Sequence, residues 1–184
     1  QDLGALDIIK EVSPNMELHA STQMTIHSVN GALLMRDLGF KRVVLSRELD
    51  KKTIQKISSL GIDTEIFVHG ALCMSVSGQC YMSAMIGSRS ANRGLCGQPC
   101  RLPFSACDNK DNHALSLKDM SLIQHVQDFI DMGITSLKIE GRMKRPEYSA
   151  CAVSTLKNAL DGLPFDIDTL KSVFSRGGFT DGYY

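Results

Sequence analysis

Three short apolar runs, at residues 17–21 (ELHAS), 42–45 (RVVL) and 65–68 (EIFV), recur every 23 to 25 residues, and a fourth, 136–140 (SLKIE), arrives only some 70 residues after the third. The runs are continuous and partly β-branched rather than alternating, which suits strands buried on both faces of a parallel sheet. Between them the spacing predicts helices. Residues 25–38 place Val29, Leu33 and Leu34 on one face and stop at Gly39. Residues 50–60 have Asp50 as an N-cap, Ile54, Ile57 and Leu60 inward, and Gly61 as a stop. Residues 117–132 carry Leu122, Ile123, Val126, Phe129 and Ile130, and residues 146–160 open on Pro146 at a first helical position. This β/α alternation predicts an α/β fold, either a barrel or a doubly wound sheet. The gap leaves roughly 45 residues beyond one ordinary β/α unit, inserted after a strand, where such folds place their active-site loops.

An eight-stranded barrel takes about 250 residues, more than the 184 present. The expectation is therefore the second half of a TIM-like β/α barrel with a cysteine-rich insertion after a strand. The amino end, Gln1-Asp2-Leu3-Gly4, lacks an initiator Met and any signal-peptide pattern, so the chain reads as a piece of a longer protein. The divisions expected are barrel units over 1–70, the insertion over 71–113, barrel units over 114–163, and a linker or the start of a following segment over 164–184. Alone, a half barrel would expose its sheet edges and aggregate.

The inserted stretch holds most of the cysteines. Cys73, Cys80, Cys96, Cys100 and Cys107 fall within one 35-residue window, and Cys151 stands apart in a helix as a small core residue. A chain of this size folds without disulfide staples, and with no secretory signal a metal site in a reducing, cytoplasmic setting is the stronger reading. The spacing Cys73-x6-Cys80-x15-Cys96-x3-Cys100 is too uneven for paired zinc knuckles but admits a [4Fe–4S] cluster. Zinc and unliganded thiols stay open on spacing alone.

Charge narrows the partner. The chain is neutral overall, with 20 basic and 20 acidic residues, yet residues 71–106 contain no Asp or Glu while carrying Arg89, Arg93 and Arg101. These three arginines are candidate substrate-binding residues for an anion, either a small carboxylate or an RNA phosphate, since the guanidinium fork matches both. They could equally offset thiolate charge. No apolar run approaches the length of a membrane span.

Residues 65–73 (EIFVHGALC) and 77–83 (SGQCYMS) meet every fixed position of the pattern E-x-F-x-x-G-[SA]-hydrophobic-C-x4-G-x-C-x-hydrophobic-S. That is the signature of peptidase family U32, which this chain resembles along its whole length. The blocks 21–24 (STQM), 42–49 (RVVLSREL), 89–101 (RSANRGLCGQPCR), 136–144 (SLKIEGRMK) and 176–180 (RGGFT) agree. The family is named for collagenase-like proteases. Its better-understood members make 5-hydroxyuridine in tRNA or 5-hydroxycytidine in 23S rRNA, or form a pair in oxygen-independent ubiquinone hydroxylation. The resemblance implies a [4Fe–4S] cluster on Cys73, Cys80, Cys96 and Cys100, with prephenate as a possible co-substrate and RNA as partner. It leaves His69, Glu140 and Arg142 as catalytic candidates. His69 could instead order a loop, and Glu140 and Arg142 could pair with each other.

Two other functions remain in view. A peptidase would need an activated thiol or a zinc motif, and the sequence has neither a known cysteine-nucleophile signature nor H-E-x-x-H. A non-catalytic cluster-bearing partner in a hydroxylation complex would keep the cysteines without the chemistry.

Overall fold

The computed structural model describes residues 1–104, 113–142 and 144–184; Cys107 and Met143 lie outside the described residues. The chain is α/β, with a six-stranded mixed sheet among the described residues. The strands are β1 (His19–Ala20), β2 (Arg42–Val44), β3 (Asp63–Ala71), β4 (Asp119–Ser121), β5 (Ser136–Ile139) and β6 (Phe179–Thr180). The α-helices are α1 (Leu6–Val12), α2 (Val29–Asp37), α3 (Lys51–Ser58), α4 (Met82–Gly87), α5 (Val126–Asp131), α6 (Pro146–Leu160) and α7 (Ile167–Val173).

β3 organises the sheet. Ile66, Phe67 and Val68 are consecutive and all buried, as expected of a strand covered on both faces. Its first residues pair in parallel with β2, Val44 opposite Glu65, and it also pairs in parallel with β5, from Glu65 opposite Ser136 to His69 opposite Ile139. Its last three residues pair antiparallel with β4, His69 opposite Ser121. Gly70 makes this crowding possible. It sits at φ +129°, and a Cβ there would stand 2.6 Å from both Cβ and O of Glu140. β1 extends the sheet beyond β2 in parallel, and β6 joins β4 in parallel.

The helices follow from caps and apolar spacing. Asp50 accepts a hydrogen bond from Thr53 N at 2.8 Å and starts α3, whose Ile54 and Ile57 are buried three residues apart. Ser28 accepts from Gly31 N at 3.1 Å and starts α2. That helix begins four residues later than its apolar spacing predicts, because residues 22–24 form a 3-10 turn that ends at Thr25 in the left-handed region, φ 56°. Its buried residues are Ala32 and Met35, while Leu34 faces out. α6 matches its predicted span and opens on Pro146.

The largest difference from the sequence reading is at residues 117–132. The spacing predicts one helix; the chain instead forms β4, a 3-10 turn over Ile123–His125 and the short α5. Long-range bonds override helical periodicity there. Leu122 N donates to Val68 O at 2.7 Å. The Asp119 carboxylate accepts from Arg176 N and Nε, each at 2.9 Å, with Arg176 Nη2 2.8 Å away. The same pairing draws in the tail. Residues 174–184 lie along the sheet, with Tyr184 OH donating to Asp128 Oδ2 at 2.9 Å and its ring edge-on to Phe129 at 5.1 Å. No helix among the described residues is long and apolar enough to cross a membrane.

Candidate functional site

The parallel strands β1, β2, β3 and β5 all point the same way, so the segments that follow them meet at one end of the sheet. The segment after β3 carries the cysteines and is laid across the loops after β1 and β2 by a net of hydrogen bonds. Thr25 Oγ1 donates to Ser77 O at 2.9 Å and accepts from Gln79 Nε2 at 2.7 Å. Gln23 Nε2 donates to Asn92 O at 2.9 Å. Glu48 Oε1 accepts from Ser77 N at 3.1 Å and from Ser77 Oγ at 3.0 Å. Gly78 closes the packing at φ +81°, where a Cβ would come within 2.8 Å of Gln23 O.

Between the segments after β2, β3 and β5, and closed by Arg176 of the tail, lies a cleft of about 200 Å³. Cys73, Cys96 and Cys100 line it, and Cys80 is near enough to act electrostatically on Cys73. The four cysteines are free thiols. Burial pushes the Cys73 thiol above its ordinary value, and the neighbouring Cys80 and Cys100 add to this against Arg47. Cys96 Sγ accepts a weak bond from Gln98 N at 3.4 Å.

The rest of the lining is cationic. Arg47, Arg101, Arg142, Lys144 and Arg176 surround one carboxylate, Glu140. The Arg47 guanidinium lies 3.7 Å from the centroid of the Phe67 ring and 3.7 Å from Glu140 Oε2. Burial lowers its pKa, opposed by Glu140 and Cys73; as a guanidinium it stays charged. Arg101 donates to Ser116 Oγ and Leu117 O, both at 3.0 Å, and to Leu72 O at 2.5 Å. It thereby staples the end of β3 to the segment entering β4. Lys144 Nζ sits 3.0 Å above the Phe174 ring. Burial and then Arg176 lower its pKa.

The sequence-predicted residues are thus distributed unevenly. Cys73, Cys96, Cys100, Arg101, Glu140 and Arg142 share the cleft. Glu140 Oε1 accepts from Arg142 N at 3.1 Å, so these two meet through backbone rather than guanidinium. Arg89 Nε donates to Leu95 O at 3.0 Å and shapes its own loop. Arg93 is exposed beside Gln1, Asp2 and Leu3, on a separate surface hollow. Arg47, Lys144 and Arg176 belong to the cleft lining but are not among the sequence candidates. Arg47 and Lys144 lie in short charged blocks directly after predicted strands, and that position is the signal that could have found them.

His69 is buried, 1% exposed, at the top of β3. Its ring stacks on Tyr148 at 5.6 Å and meets Phe179 edge-on at 5.2 Å. Neither ring nitrogen has a hydrogen-bond partner among the described residues. Burial pulls its pKa down to about 4, against the opposing pull of Asp119. The imidazole is therefore neutral near pH 7. Tyr148 OH donates to Glu140 O at 3.3 Å, so the aromatic stack supports the loop after β5.

A stability consequence follows. In the unfolded chain the imidazole takes a proton near pH 6.5; in the folded chain it does so only near pH 4. Between those values the unfolded state binds more protons, so stability present above pH 6.5 is lost as the pH falls, by on the order of 2–3 kcal/mol. Replacing His69 with Phe should flatten the fall in thermal midpoint of the full-length protein between pH 6.5 and 4. An unchanged slope would mean the imidazole is not held neutral.

The donor chemistry of the cleft fits an iron–sulfur cluster. Thiolates are its usual ligands, and a cluster on four of them would carry net negative charge that the five cations of the lining would offset. Among the described residues no three His, Cys, Asp or Glu side chains are close enough to hold a metal ion as they stand, so the fit rests on ligand type and on the charge of the lining.

The model of a family described as Peptidase family U32 matches residues 1–184. A 23S rRNA 5-hydroxycytidine C2501 synthase of Escherichia coli is 41% identical over 170 residues, covering 89% of this chain and 26% of that protein. The tRNA hydroxylation protein P1 of Bacillus subtilis is 35% identical over 169 residues, 85% of this chain and 40% of the relative. A collagenase of Porphyromonas gingivalis is 32% identical over 213 residues, all of this chain and 50% of the relative. The chain spans between about a quarter and a half of the length of the curated relatives it matches. No solved structure matches it.

Proposed function

This chain belongs to peptidase family U32, and from that premise we propose that it is the cluster-bearing part of an enzyme that hydroxylates RNA bases. The observation that carries the proposal is the cleft itself: three thiols lining one hollow with five cations, in a chain whose relatives include an rRNA hydroxycytidine synthase at 41% identity and tRNA hydroxylation proteins.

On this reading Cys73, Cys80, Cys96 and Cys100 hold a [4Fe–4S] cluster, which supplies electron transfer or a Lewis-acidic iron. The six-stranded sheet is then part of a TIM-like barrel, and the segment after β3 is its cysteine-rich insertion. The protein's own groups do the rest. Arg142, Lys144 and Arg176 present positive charge to an anionic co-substrate, a small carboxylate of the prephenate type, or to an RNA phosphate. Arg47, held by Phe67 and Glu140, keeps the cleft cationic without needing to move. Glu140 is the single carboxylate there, and its position is fixed by Arg142 N. His69, neutral and enclosed by aromatic rings, orders the loop after β5 through Tyr148.

The collagenase relative gives the peptidase reading its support. The sequence works against it, because it carries neither a known cysteine-nucleophile signature nor H-E-x-x-H.

The test is chemical. The full-length protein is expressed in a host stripped of its own U32 proteins, and total RNA is digested to nucleosides for mass spectrometry. A nucleoside heavier by one oxygen should appear, and should vanish with Cys96→Ala. No such nucleoside in any RNA fraction, together with cleavage of denatured collagen by the same preparation, would hand the assignment to the peptidase reading.

A further inference from the structure

Cys96 sits in a turn whose peptides are held on both sides by one short stretch of chain. On its carboxyl side, Gly97 N donates to Ser83 Oγ at 2.7 Å. On its amino side, Leu95 O accepts from Arg89 Nε at 3.0 Å. The two anchors are themselves joined, because Arg89 N donates to Ser83 O at 3.2 Å just after α4 ends. Between them the sulfur takes a third contact, the weak bond from Gln98 N to Cys96 Sγ at 3.4 Å.

The local chain is built to allow this. Ser83 stands in the first turn of α4, three residues after Cys80, and is 4% exposed, so water competes little for its hydroxyl. The segment carrying Cys80 is thereby tied to the segment carrying Cys96. Gly97 makes room for both anchors: a Cβ there would stand 3.1 Å from Ser83 Oγ and 3.8 Å from Arg89 Cδ. Arg89 is exposed, and the bond it makes through Nε goes to backbone rather than out to an anion. Residues that orient a ligating side chain set metal affinity almost as strongly as the ligands do, and hydrogen bonds to cluster sulfurs set the potential.

We propose that Ser83 and Arg89 are positioning residues, a clamp on the peptides flanking Cys96 that fixes where its sulfur is presented to a metal. The proposal rests on the cluster reading above and adds to it which side chains aim one of the four ligands. It gives Ser83, the last fixed position of the 65–83 pattern, a task beyond packing. It also moves Arg89, a substrate-binding candidate by its charge, to a role beside the thiols.

The test is the rate at which a ferrous chelator strips iron from the folded, anaerobically purified full-length protein, read together with the reduction potential. Ser83→Ala removes the acceptor, and iron should leave roughly tenfold faster, the lower end of what loss of a ligand-orienting partner costs in affinity. The potential should shift as well, since the Gln98 N–H no longer meets the sulfur in the same geometry. Ser83→Thr keeps the hydroxyl and should strip within about twofold of the wild type. Arg89→Ala removes the other anchor at an exposed position where folding is not at stake; it too should lose iron faster, with its affinity for single-stranded RNA unchanged. Should Ser83→Ala fail to fold, Arg89→Ala decides alone. Wild-type stripping rates and potential in the folded variants overturn the clamp and leave the cluster reading standing. So does an Arg89→Ala that binds RNA more weakly and keeps its iron, because it returns Arg89 to the substrate. A folded wild type that holds no iron brings down both.

Discussion

Changing any one of Cys73, Cys80, Cys96 or Cys100 to Ala should strip the anaerobically purified full-length protein of most of its iron, from about four irons and four sulfides per chain to near none. The reason is the way the thiols are presented. They come from separate turns of one glycine-rich segment, with Cys73 directly after β3 and Cys100 in a 3-10 turn that Arg101 pins to Leu72 O. No pair of them makes a self-sufficient knuckle, so losing one ligand exposes the cluster to water and oxidant. Cys151, half-buried in α6, serves as the internal control, and Cys151→Ala should keep the iron. Zinc in place of iron, or full iron in any of the four variants, would sink the assignment. Loss of hydroxylated nucleoside should track loss of iron across the set.

The second large effect is structural. Asp119→Ala should destabilise the β4–β6 region by about 3–5 kcal/mol, the cost of leaving one partner of a buried ion pair alone. Asp119 is 2% exposed and takes three contacts from Arg176. Without it the Arg176 guanidinium faces Arg101 and Lys144, whose pKa values are lowered by burial first and by Arg176 next. Hydrogen exchange should show faster exchange at residues 119–121 and along the tail from 174. Combining Asp119→Ala with Arg176→Met should recover most of the loss, since it removes the orphaned charge along with its partner. A double variant no better than the single one would mean that Asp119 acts through something other than Arg176.

The parts of the fold that were legible are those decided locally. β2, β3 and β5 announce themselves as short continuous apolar runs, and α3 and α6 by their caps. β4 was hidden because Leu122, Ile123, Val126 and Phe129 carry a true helical period, while the decision to pair lies with Arg176, 57 residues away. β6 and the packed tail were hidden for the same reason, since Phe179 and Tyr184 have meaning only against Asp119 and Asp128. For the site, residue chemistry singled out the cysteines and the acid-free stretch as candidates. Of the cations that line the cleft it singled out Arg101 and Arg142 and missed Arg47, Lys144 and Arg176. Arg89 bonds a backbone carbonyl of its own loop, whereas Arg47 comes from a different loop and is aimed by Phe67, a neighbour that only the paired sheet supplies.

β3 pairs with β5 across a separation of 71 residues, Glu65 opposite Ser136. Contacts so distant in the chain form late, after the loop-closure entropy between them has been overcome. Synthesis imposes the same order. Ile139 follows Cys100 by 39 residues, about 2–8 s of translation at roughly 5–20 residues per second. For those seconds the thiols have left the ribosome while the strand that leads into Glu140, Arg142 and Lys144 has not. On the proposed cluster assignment, oxidation and metal loading would compete for these sulfurs in a half-built chain, before the wall that later shields them exists.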